Sequence, residues 1–106
     1  MGFLDFGDKA MIKTIAKRLK IGITQLANEL DSSNGIATPL ARGLASALNR
    51  DIKEMQRLSN SLSESSRSSI LIDMEGRNVQ LPAFFFTLKM MSNDWKKASG
   101  IEFFGN

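Results

Sequence analysis

The stretch IKTIAKRLKIGITQLANEL, residues 12–30, decides the fold. Its apolar residues Ile12, Ala16, Leu19, Ile23, Leu26 and Leu30 recur at alternating spacings of four and three, so they return to one side of an α-helix every seven residues. The seam predicts a helix from about residue 8 to about residue 32, with Asp5 or Asp8 capping its start and Asn34-Gly35 closing its end. Gly22 costs about 1 kcal/mol against Ala inside a helix, and Ile21 falls opposite the seam, so a kink or break near Gly22 is consistent with the pattern.

Downstream, Thr38-Pro39 joins an N-cap residue to the residue type favoured at the first helical position. Ala41, Leu44, Leu48, Ile52, Met55 and Leu62 then hold one stripe, with Ala45, Leu58 and Ser59 beside it, which predicts a second helix to about Leu62. Two long helices joined by a short segment form an antiparallel hairpin. The apolar period stops in SNSLSESSRSS, residues 59–69, which reads as a linker or exposed loop; the capping-box spacing of Ser61 and Glu64 is taken as chance because no apolar run follows it. Ile70–Leu81 holds two short β-prone runs around a glycine turn and predicts a β-hairpin. A third helix starts at Pro82, with Phe84, Leu88, Met91 and Trp95 on one stripe and Gly100 as its stop, before the tail Ile101–Phe104. The expected fold is mainly α: a helical hairpin of two long helices plus a small β-hairpin and a third helix, α+β at the margin.

Of 106 residues, 42% are hydrophobic and 24% charged, with 14 Lys+Arg against 11 Asp+Glu. That balance suits one globular domain spanning residues 1–106. No run of about 18 apolar residues occurs and the opening MGFLDFGDKA lacks the order of a secretory signal, so a cytoplasmic location is expected. The chain contains no Cys, His or Tyr. Thiol nucleophiles, imidazole acid-base catalysis and Cys/His zinc sites all need residues that are missing. No Walker A loop, G-x-S-x-G or G-x-G-x-x-G occurs, so an enzyme is the least supported class, and no catalytic residue, metal, cofactor or small-molecule substrate is expected.

Charge and aromatic patterns supply the candidate sites. Lys9, Lys13, Lys17 and Lys20 fall within roughly 80° on the first helix, beside its seam. Arg42, Arg50, Lys53 and Arg57 fall within roughly 80° on the second, away from its apolar stripe and clear of Asp51 and Glu54. These residues are candidates for binding an anionic surface; the plainer alternative is two solvated helix faces. With Phe3, Leu4, Phe6, Met11 and Ile12 buried in lipid, the first helix could instead lie on an anionic membrane. Ile23–Leu30 looks like the first helix of a helix-turn-helix motif with Ala27 at its small position, although Asp31 stands where the turn usually has Gly and Pro39 falls within the second helix.

Near the C-terminus, Phe86 and Met90 form a second patch beside the third helix's stripe, and the tail adds Phe103 and Phe104. Together with Trp95 these are candidate partner-binding residues, or else core covered by hairpin and tail. The function expected from this pattern is a small non-enzymatic interaction protein that binds another protein, as adaptor, inhibitor or assembly factor, or a second copy of itself. The alternatives are a basic nucleic-acid-binding regulator, binding weakly, and a peripheral membrane protein.

Overall fold

A computed structural model describes residues 2–104, with side chains from residue 7 onward. The order is α1 (Gly2–Ser32), α2 (Pro39–Ser61), α3 (Glu64–Ser68), β1 (Leu71–Met74), β2 (Arg77–Gln80) and α4 (Leu81–Ser99). Helix α1 starts well before the expected residue 8, so Asp8 is interior and accepts from the Ser61 hydroxyl at 3.1 Å instead of capping. The Asp5 side chain, and those of Phe3, Leu4 and Phe6, lie outside the described residues.

Helices α1 and α2 form the antiparallel hairpin. Along it Asp8 meets Ser61, Arg18 meets Asp51, Gly22 meets Leu48 and Glu29 meets Thr38, each pair moving up one helix and down the other. The turn follows the sequence: Asn34 and Gly35 take φ of 58° and 83°, and the Gly35 amide donates to the Leu30 carbonyl at 2.7 Å. Thr38 caps α2, its Oγ1 accepting from the Ala41 amide at 3.1 Å and donating to Glu29 of α1 at 2.7 Å. One hydroxyl thus starts the second helix and ties it to the first.

No break occurs at Gly22; α1 runs through it as one helix. A Cβ built there would stand 2.7 Å from Leu48 Cδ2, so the missing side chain is what lets the two helices approach. The helix-turn-helix resemblance also ends at the sequence, because Ile23–Leu30 is the interior of this long helix and α2 folds straight back along it, with Pro39 at its start.

The expected Ser-rich loop is largely ordered. Residues 59–61 finish α2 with Ser59 buried, and Ser63 caps the short α3 by accepting from the Ser66 amide at 3.2 Å. Ser68 and Ser69 hydroxyls donate to the Ser65 and Ser66 carbonyls, and Leu62 and Ile70 anchor the segment in the core from either end. Serine hydroxyls serving backbone groups replace the apolar period that was sought there.

The β-hairpin forms as expected, with Ile72 opposite Val79 and Met74 opposite Arg77. Glu75 and Gly76 both have positive φ, the geometry of a two-residue type I′ turn, and Asp73 Oδ1 accepts from the Gly76 amide at 3.2 Å. Strand β2 passes directly into α4, which ends at Gly100 in the left-handed conformation. One core joins α1, α2, β1, α4 and the tail: Ile12, Ile15, Leu19, Leu26, Leu48, Ile52, Met55, Ile72, Phe84, Leu88, Ile101 and Phe103 are all buried, and α3 contributes nothing.

Candidate functional site

Helix α4 separates the aromatic residues that the sequence grouped together. Leu81, Phe84, Leu88 and Ser92 turn inward and are buried, while Met91 and Trp95 are half-buried against the core. Ser92 organises the tail: its oxygen accepts from the amides of Phe103 and Phe104 at 3.1 and 3.2 Å. Ile101 and Phe103 are thereby drawn in, each 1% exposed, and the Trp95 and Phe103 rings meet edge to face at 5.4 Å. Phe103 therefore belongs to the core, the second of the two places the sequence left open for it, and Trp95 packs against it. Phe104 is half-buried between Phe85, at 6.5 Å, and the Lys89 ammonium, 5.4 Å from its ring centroid.

Phe86 and Met90 remain outside, 65% and 51% exposed. At i and i+4 they share the face of α4 opposite the core, and helical geometry sets Lys97 on that face two turns beyond Met90. A second apolar spot escaped the sequence reading: Ile36 and Leu40, at the tip of the α1–α2 hairpin, are 66% and 59% exposed. Leu40 lies one residue off the stripe begun by Ala41, which is the signal that could have marked it.

The basic residues divide similarly. Lys13 and Lys17 are exposed and flank a cleft of about 170 Å³ between α1 and β1, while Lys9 is half-buried farther up the helix. Lys20 is engaged: its Nζ donates to the Asp73 carbonyl at 2.7 Å and stands 3.5 Å from the Asp73 carboxylate, bracing the hairpin on α1. Arg57 is held by Glu54 through two bonds of 2.8 and 2.6 Å, so the expectation that Glu54 stands clear of the α2 patch is corrected. The hydrogen bonds and charge of this exposed pair lower the Glu54 pKa and raise that of Arg57. Asp51 likewise binds Arg18 at 2.9 and 2.8 Å and raises its pKa. Arg42, Arg50 and Lys53 form no ion pair among the described residues and are exposed. Lys13 and Lys17 border the β-hairpin, whereas the α2 cations face away from its buried stripe, so the two sets do not share a single face.

For the membrane reading, Met11 is 49% exposed but Ile12 is fully buried in the core, which removes it from the lipid-facing set. Among the described residues no helix is long and apolar enough to cross a membrane. Asp73 lies on β1, Glu75 in the turn and Asp94 on α4, and among the described residues no three acids gather as a metal site would require.

A further groove lies at the N-terminal end of α4. It measures about 690 Å³ and is lined by residues of α2, α3 and the β2–α4 junction, including Ser59, Arg67, Gln80, Leu81, Pro82 and Phe85. The chain matches no known protein family, no curated protein and no solved structure.

Proposed function

We propose that this chain is a small non-enzymatic interaction module that binds another protein through the outer face of α4. The observation that carries the reading is the exposure of Phe86 and Met90 beside a core that is already closed without them. A paired aromatic and methionine on one helix face offer adaptable apolar contact of the kind interfaces use, and leaving them in water gives nothing to the stability of the chain. Lys97 on the same face and Lys89 near its edge favour an amphipathic partner segment with acidic flanks, and the net charge of +3 disfavours a second copy at this face. Such a module would work in the cytoplasm, with Lys13, Lys17, Arg42, Arg50 and Lys53 steering an acidic partner.

The test combines light-scattering mass at two protein concentrations with titration of leucine-faced amphipathic peptides carrying acidic or basic flanks. The acidic peptide should bind a monomeric chain and lose at least about tenfold in affinity to Phe86→Ser/Met90→Ser, with the melting midpoint nearly unchanged. A concentration-dependent dimer abolished by the same variant would instead make a second copy the partner. Equal binding of both peptides to wild type and variant, with no change of mass, would refute the reading. Tight, base-sequence-dependent DNA binding at physiological salt would refute it in favour of a nucleic-acid regulator, since non-specific binding to scattered Lys and Arg falls steeply with salt.

A further inference from the structure

We propose that the groove between α2, α3 and the start of α4 is a binding site for a small molecule that carries one anionic group, carboxylate or phosphate, on a flat apolar body. This goes beyond the protein-binding face, which lies elsewhere on α4. Three observations converge on the groove. Helix α4 opens without a side-chain cap: Gln80 makes no capping bond, Pro82 has no N–H, and the antiparallel register directs the Leu81 amide back across the hairpin, which leaves the amide of Ala83 as an uncapped donor at the positive end of a 19-residue helix.

The second observation is Ser59. It is 8% exposed, yet its hydroxyl makes no hydrogen bond among the described residues. No buried side-chain oxygen among the described residues is sealed without a partner, so this hydroxyl must open onto the groove it lines. Ser92, the other buried serine, accepts from two amides and shows what such an oxygen ordinarily does. A donor kept at this depth without an internal partner is suited to a ligand oxygen.

Arg67 is the third. It lines the same groove, is half-buried and forms no ion pair among the described residues, so its planar fork of N–H donors is available to a carboxylate or phosphate. Leu81, Pro82 and Phe85 supply an apolar wall, and a volume of about 690 Å³ lies within the range of small-molecule sites. Glu64 is the opposing charge. It lines the groove but is exposed, in the first turn of α3, and therefore acts against the anion through solvent.

The experiment titrates the full chain with phenyl phosphate, benzoate, inorganic phosphate and benzyl alcohol, following backbone amide resonances. Phenyl phosphate or benzoate should move the amides of Leu81, Ala83 and Phe85 and of Ser59, and which of the two binds more tightly identifies the acid. Arg67→Gln should weaken that binding by about tenfold or more, with Arg67→Lys losing less, Ser59→Ala should weaken it severalfold, and Glu64→Gln should strengthen it. Thermal melting of each variant establishes that the fold is retained. Benzyl alcohol binding as well as phenyl phosphate would overturn the anionic part, and inorganic phosphate binding equally well would overturn the apolar part. Unchanged affinity in Arg67→Gln, no binding of either aromatic anion, or shifts centred on Lys13 and Lys17 would overturn the site.

Discussion

Substituting Gly22 and Leu48 separately and together tests how the two long helices are held. In Gly22→Ala the new methyl would sit 2.7 Å from Leu48 Cδ2, roughly 1 Å inside ordinary carbon–carbon contact, and Leu48 is only 2% exposed and has little room to yield. Overpacking of this kind costs about 1 to 3 kcal/mol, against which the better helix propensity of Ala returns about 1 kcal/mol. The single variant should therefore be between neutral and about 2 kcal/mol less stable. Leu48→Ala removes a buried side chain and should cost about 2 to 5 kcal/mol. In the double variant the clashing Cδ2 is gone, so the overpacking disappears while the propensity gain remains. The double variant should then be about 1 to 3 kcal/mol more stable than the sum of the single effects. Urea unfolding followed by helical circular dichroism measures all four corners. If Gly22→Ala stabilises by about 1 kcal/mol and adds to Leu48→Ala within about 0.5 kcal/mol, Gly22 is not a packing contact and the helix register drawn from it is wrong.

Three further outcomes are expected. Ser92→Ala strands the buried amide of Phe103 and the half-buried amide of Phe104; it should cost about 1 to 3 kcal/mol and speed hydrogen exchange at both, and unchanged exchange would refute the pinning of the tail. Phe103→Ser should cost about 3 to 5 kcal/mol whereas Phe86→Ser should barely move the melting midpoint, and equal effects would reverse their assignment to core and surface. Glu54, whose folded pKa is lowered by Arg57, contributes stability that is present above the ordinary carboxylate range and lost as pH falls through that lowered value; the difference in melting midpoint between wild type and Glu54→Gln should shrink on acidification and in about 1 M salt, and a difference constant with pH would refute it.

What the sequence by itself determined was whatever depends on neighbours within a few residues. Seam spacing placed α1 and α2, Thr38-Pro39 marked the start of α2, the Glu75-Gly76 turn set the β-hairpin, and Gly100 stopped α4, because periodicity, capping and positive φ act over one or two helical turns. The short helix α3 within the exposed Ser-rich segment was not legible for a related reason: its order comes from hydroxyls bonded to nearby backbone and from Leu62 and Ile70 anchored in a distant core, neither of which leaves an apolar period. Tertiary structure alone decided the rest. Whether Gly22 is a hinge or a contact depends on Leu48, 26 positions away in the chain; whether Phe103 faces water depends on Ser92 drawing in the tail; whether Lys20 is available depends on Asp73, across the fold on β1. The groove at α4 has no sequence signature, since Ser59, Arg67 and Leu81 come from three elements and only the packing of those elements brings a buried hydroxyl, an unpaired guanidinium and an uncapped helix start to one place.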